Sequence, residues 1–226
     1  MKIVLLHALP LDQRMWEPQR EALPGHDVVS PNLYGFGNSM DAWAKHVLEE
    51  VEGGFVACGA SMGGYCALAI ARRAPERLEG LVLAGSRIDA DSEERRAARA
   101  DTIALIRSRG PEGLWEDMRP KLFPEDAPPE VVERARRLAL EQDPDGLVSA
   151  VEAIRDRPDS TEAVAALDVP VLVAIGDVDP FLSVEEAGAA AGVAGDGRLH
   201  VFAGTGHLPS MQRPDEFNRL LESFLP

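Results

Sequence analysis

Six short apolar runs, spaced by longer stretches of helical periodicity, restrict this chain more than any other feature in it. They are "KIVLL" (2–6), "DVVS" (27–30), "GFVACG" (54–59), "GLVLAG" (80–85), "PVLVAIG" (170–176) and "RLHVFAG" (198–204). Each is nearly continuous in apolar content rather than alternating, as a strand covered on both faces is. Helical patterns lie between them near 12–23, 41–52, 62–74, 184–191 and 214–224. Strand alternating with helix in this way predicts βαβ units. The expected fold class is α/β, a mostly parallel, doubly wound sheet of about six strands.

One segment breaks the alternation. Residues 89–167 show only helical patterns, "SEERRAARADTIALIRSR", "PEGLWEDMR", "PPEVVERARRLALEQ" and "PDGLVSAVEAIRDR", punctuated by proline and glycine. An insertion between two parallel strands can form a cap over the carboxyl edge of the sheet, where open α/β folds place ligands. The expected organisation is therefore a core of residues 1–88 and 168–226 with a helical cap of 89–167. At 226 residues the whole is expected to be one structural domain.

Charge excludes several classes of partner. The net charge is −15, with 38 acidic side chains against 23 basic ones, which repels nucleic acid and anionic membrane surfaces. The arginines of "EERRAAR" (93–99) and "ERARR" (133–137) alternate with glutamate and alanine and read as solvated helix faces. No apolar run approaches the roughly 20 residues a membrane helix needs, and "MKIVLLHALP" lacks the core and cleavage site of a signal peptide. A cytoplasmic protein is expected, as a monomer or homodimer.

The stretch "CGASMGGYC" (58–66) carries the chemistry. Gly59-Ala60-Ser61-Met62-Gly63 fits G-x-S-x-G, directly after one strand and directly before the helix "GGYCALAIARRA". That placement is what a nucleophile elbow needs: a strained turn that projects one serine hydroxyl, with glycines where side chains would clash. A phosphate loop would require lysine and a hydroxyl residue after the glycines, and "GGYCAL" offers neither. The spacing also misses the dinucleotide-binding fingerprint. Cys58 and Cys66 lack neighbouring ligands for a metal and read as buried packing between strand and helix.

A nucleophilic serine needs a base, an acid that orients it, and donors for an oxyanion, in the chain order Ser, Asp or Glu, His. His207, in "GTGHLP" just past the last strand, is the expected base. His200 lies within that strand as a packing or edge residue, and His26 and His46 read as solvated. The expected acid is Asp179 in "GDVDP". Asp177 lies nearer the strand end, suited to turn contacts, and Asp89 follows the preceding strand. Oxyanion donors are expected from the backbone N–H groups of Leu9, in "LLHALP" after the first strand, and Met62. His7 is expected to brace that first loop.

With "HALP", "GASMGG", "GDVD" and "GTGHLP" in order, the chain resembles the α/β-hydrolase superfamily over essentially its full length. It looks most like the serine carboxylesterase and enol-lactonase branch, with "LLHALPLDQRMWEPQ", "SPNLYGFGNS" and "GHLPSMQRPDEFNRLLESFL" as matching landmarks. The resemblance implies Ser61 as nucleophile, Asp179 and His207 as its partners, and Leu9 and Met62 as the oxyanion hole. Alanine at 8 replaces the glycine usual in that loop, and the chain starts at "IVLL", which reads as a minimal member. Serine at 61 sets it apart from the dehalogenases and epoxide hydrolases of this fold, whose nucleophile is aspartate.

The expected reaction is acyl transfer from a small-molecule ester or lactone to water, with no metal and no organic cofactor. Arg87 is positioned after a strand to meet a substrate carboxylate, although a surface salt bridge is its commoner use. Trp115 and Met118, with Leu114 and Phe123, are the bulky apolar groups expected to line the pocket or pack the cap. Cofactor-free perhydrolases and haloperoxidases, carbon–carbon bond hydrolases and a non-catalytic ligand-binding member of the fold share the same residues.

Overall fold

The computed structural model describes residues 1–225 and contains one six-stranded sheet. The strands are β1 (Lys2–Leu6), β2 (Asp27–Val29), β3 (Phe55–Ala60), β4 (Leu78–Ala84), β5 (Val171–Gly176) and β6 (Gly197–Phe202). Their order is β2-β1-β3-β4-β5-β6, and every neighbouring pair is parallel. The chain leaves β1 toward β2 on one side and returns to β3 on the other. The loops after β1 and β3 therefore flank a crevice at the carboxyl edge, where ligands bind in open α/β sheets.

Alternate side chains of β1, β3, β4 and β5 feed two apolar layers. The edge strand β6 is not covered on both faces as its run suggested: it buries only Phe202 and leaves Leu199 and Val201 exposed. Val4, Leu6, Phe55 and Ala57 pack on one face, and Ile3, Leu5, Val56 and Cys58 on the other. Both layers are covered by helices, which is why the runs are apolar throughout rather than alternating. The first face is covered by α2 (Met40–Glu50), α3 (Met62–Arg73) and α8 (Val184–Ala191). On the second lie α1 (Glu17–Ala22), α9 (Pro209–Gln212) and α10 (Pro214–Phe224). Cys66 of α3 belongs to the first layer and Cys58 of β3 to the second, so the two free thiols pack on opposite faces of the sheet.

The expected helix over 12–23 is divided. Asp12 caps a 3-10 turn over Gln13–Trp16, and α1 then starts with Pro18 in its first turn, where a missing N–H costs nothing. Between β4 and β5 the chain is helical: α4 (Glu93–Leu122), α5 (Pro129–Leu140), α6 (Pro144–Arg155) and α7 (Thr161–Ala165). The long α4 is two helices end to end. Gly110 takes φ 63° and ψ −160°, and Pro111 restarts the second half. No helix among the described residues is long and apolar enough to cross a membrane.

Candidate active site

Ser61 is the last residue before α3 and the only non-glycine residue among those described with positive φ, at φ 49° and ψ −112°. The β4 carbonyl of Ala84 accepts its N–H at 2.7 Å, and its own carbonyl accepts from Gly64 N at 2.9 Å and Ser86 Oγ at 3.0 Å. Those bonds hold a backbone geometry that is costly for a residue with a Cβ. The turn closes because its neighbours have no side chains. A Cβ at Gly63 would lie 2.0 Å from Leu6 O, and one at Gly59 would lie 2.3 Å from Gly64 N. Gly64 has the same reason, since its Cβ would meet Ser86 Oγ at 2.0 Å. Ser86 is fully buried and far away in sequence, so its part in holding the turn left no local signal.

The loop after β6 brings His207 to this turn. Its N–H donates to Leu122 O at the end of α4, and its ring packs against Phe181 at 4.6 Å between centroids. Nε2 lies 2.8 Å from Ser61 Oγ, and Nδ1 lies 2.7 Å from Asp179 Oδ2. Asp179 Oδ1 accepts Phe181 N–H at 2.8 Å, and the carboxylate side chain is fully shielded from solvent. An ionised carboxylate only accepts, so Nδ1 carries the proton and Nε2 turns a lone pair toward the serine hydroxyl. Asp177 sits at the strand end, where its Oδ1 accepts Thr205 N–H. Asp89 binds Arg87 and Arg95 instead. His200 lies on the edge strand against Phe202 and Glu216. His46 is not solvated as expected: it stacks on Phe36 and pairs with Glu50, while His26 is half-buried.

Leu9, after β1, lines the same cavity as Ser61 and His207. Met62 is the first residue of α3, so its N–H has no partner within the helix. The first loop is braced from beneath by His7, which is completely buried. Its Nε2 accepts Leu33 N–H at 2.9 Å and its ring meets Tyr34 edge-on at 4.9 Å. Burial pushes its pKa from 6.5 down to about 4. Burial likewise raises both thiols, Cys66 to about 12, which leaves them inert.

The cleft above Ser61 is open on one side and narrow, with a cavity volume of about 60 Å³. Tyr65, Met118, Ile154 and Phe181 give its apolar wall, and Arg87, Arg95 and Arg99 its charged one. Met118 takes the pocket-lining place of the two open to it. Trp115 takes the packing one: it is 5% exposed and packs with Leu122 and Phe123 in the layer that also holds Leu208. Helix periodicity puts residues 115 and 118, three positions apart in the second half of α4, on overlapping faces, so the sequence alone does not separate them. Arg95 and Arg99 also depart from the expectation of a solvated face. They turn inward to Asp89 and Asp91, which lie in the loop before α4. Arg87 lines the cavity and is paired with Asp89 and Glu186. Among the described residues no three His, Cys, Asp or Glu side chains are grouped to hold a metal ion.

A family model described as the alpha/beta hydrolase family matches residues 3–220. Among solved structures, a thermophilic esterase from Thermogutta terrifontis, with malate bound, is 34% identical at a TM-score of 0.92, over 100% of this chain and 89% of that one. The enol-lactonase from Burkholderia xenovorans is 26% identical at a TM-score of 0.88, over 99% and 90% of the two chains. The pimeloyl-[acyl-carrier protein] methyl ester esterase of Citrobacter koseri is 26% identical over 234 residues, 97% of this chain and 91% of that protein.

Proposed function

We propose, from the premise that this chain belongs to the alpha/beta hydrolase family, that it cleaves small carboxylic esters or lactones through an acyl-enzyme on Ser61. The chain is an alpha/beta-fold hydrolase. The observation that carries it is the unbroken hydrogen-bonded chain from buried Asp179 through His207 to Ser61, at 2.7 and 2.8 Å. The esterase, enol-lactonase and methyl ester esterase similarities point to the same bond type.

In this mechanism His207 Nε2 takes the hydroxyl proton as Ser61 Oγ attacks the carbonyl carbon. Asp179 holds the ring in the tautomer that leaves Nε2 free, and stabilises the imidazolium that forms. The N–H groups of Leu9 and Met62 receive the oxyanion, at about 3–4 kcal/mol for each donor aimed at the developing charge. His207 then protonates the departing alkoxide. A water deprotonated by the same histidine attacks the acyl carbon and releases the acid. Helices α4–α7 serve as the cap: Met118 and Ile154 bound the acyl group, and Arg87, which closes one side of the cleft, contributes to binding. Trp115 supports the cap from behind.

A fluorophosphonate probe tests this directly. Wild type is expected to be labelled once, at Ser61, with hydrolysis of short p-nitrophenyl esters lost in parallel. Ser61→Ala is expected to keep its fold by circular dichroism and take no label. A folded wild-type protein that neither labels nor hydrolyses any ester or lactone in a short-chain panel would sink the proposal.

A further inference from the structure

We propose that the cleft over Ser61 holds a second, non-reacting carboxylate of the substrate, with Arg99 as its principal partner and Arg95 beside it. The proposal rests on the acyl-transfer reading above and names the substrate class: half-esters of short dicarboxylic acids.

The first observation is charge placement. The chain carries −15 overall, yet three guanidinium groups and no carboxylate line this cavity. Asp179 is fully shielded behind His207. The arginines stand over a cluster with Asp89, Asp91, Glu186 and Arg157, four guanidiniums against three carboxylates. A low-dielectric cleft lined by one sign of charge focuses its field on what enters.

The second is which nitrogens are occupied. Arg87 is committed at all three: Nε to Asp89, one terminal nitrogen to Glu186, the other to Phe181 O at 3.5 Å. Arg95 gives one terminal nitrogen to Asp89 and Ala90 O, with Nε 3.3 Å from Asp91. Arg99 is bound only through Nε, 3.1 Å from Asp91 Oδ2. Its two terminal nitrogens meet no acceptor among the described residues. They form the edge of the planar fork that grips a carboxylate through two parallel hydrogen bonds.

The third is preorganisation. The Asp91 side chain has no solvent exposure, and Arg157 fixes it from the other side at 2.7 Å. Arg157 in turn lies over the Tyr65 ring, 4.0 Å from its centroid, and Tyr65 also lines the cleft. The Arg99 guanidinium is thus held by a buried anchor before any substrate arrives, which lowers the entropy lost on binding.

The test pairs monomethyl glutarate with methyl 4-carbamoylbutanoate, in which a neutral amide replaces the free carboxylate. Initial rates follow from proton release in a pH-stat. Wild type is expected to favour the half-ester at least tenfold in kcat/KM, most of it in KM. Arg99→Met should bring that ratio close to one, Arg99→Lys should restore part of it, and Arg109→Met, outside the cleft, should keep it. Glutarate binding to Ser61→Ala by calorimetry, lost on adding Arg99→Met, gives a readout free of turnover. A ratio near one in wild type, or one that survives Arg99→Met, overturns the anion site. If neither ester is cleaved while Arg99-dependent glutarate binding persists, the ester reading fails and the anion site stands. If glutarate does not bind either, the anion site fails as well.

Discussion

At Gly63 the constraint on the turn that carries Ser61 is one of space. A methyl group there would sit 2.0 Å from Leu6 O, at the end of β1, and 2.8 Å from His7 O just past it, both main-chain atoms that no rotamer change can move. Gly63→Ala is therefore expected to lower stability by about 1–3 kcal/mol through overpacking and to displace Ser61 from His207. The urea midpoint and the fluorophosphonate labelling rate should fall together. His7, one residue beyond the same strand, makes a prediction about pH. Its pKa is near 6.5 in the unfolded chain and about 4 in the folded one, because burial disfavours the cation. As pH falls below 6.5 the unfolded chain binds the proton first, so this group removes stability between pH 6.5 and 4 and none further below. Its full contribution is about 3 kcal/mol at roughly 1.4 kcal/mol per unit. Urea unfolding of His7→Gln across that range should show a shallower loss than wild type; parallel curves would contradict the assignment. Gly59 and Gly63 were legible from the motif itself, because the turn imposes them at fixed offsets. Ser86 and Arg99 were not, because what defines them is a partner elsewhere in the fold.

The elements were legible to within one or two residues where apolar content alone decides them, as in β5, expected over 170–176 and found over Val171–Gly176. They were less so where backbone geometry decides. Asp12 and Pro18 turn the first helical pattern into a 3-10 turn followed by a short helix, and the four-residue α9 is too brief to show a period. The break in α4 lies between: Gly110-Pro111 marks it, but the sequence does not show that the two halves continue end to end. At φ 63° and ψ −160° Gly110 occupies a region essentially closed to other residues, yet nothing lies within 4 Å of where its Cβ would be. Gly110→Ala thus isolates conformational strain from packing, and an expected cost of about 1–3 kcal/mol would be read from the urea midpoint. Relief of that strain would rotate the second half of α4, shifting Met118 in the cleft and Leu122 O, which accepts the His207 N–H. Activity on longer acyl groups should change more than activity on acetyl esters.

For the molecule as a whole, the order of the landmark segments along the chain made the sheet and its crevice readable, whereas the joints between insertion and sheet were hidden. Those joints link residues far apart in sequence. Arg14 reaches Asp12 and Glu141, Gln142 also binds Asp12, and Arg134 reaches Glu17, tying α5 and its end to the start of the chain. On the opposite side Arg157 binds Asp91 and Asp89 O, Ser160 N–H donates to Ile88 O, and Arg72 of α3 reaches Ser160 Oγ. Burial ranks these joints. Asp91 and Arg157 have side-chain exposures of 0% and 3%, while Asp156, paired with Arg96 and Arg155, is 43% exposed. Asp91→Asn leaves the Arg157 cation buried without its counter-charge, and about 3–5 kcal/mol should be lost, as when one partner of a buried pair is removed. Asp156→Asn breaks a solvated pair and should cost less than about 1 kcal/mol. Urea unfolding of both variants separates the cases. Equal effects would mean that the Asp91 cluster does not fasten residues 89–167 to the sheet, and a large loss at Asp91 alone would identify it as the joint that does.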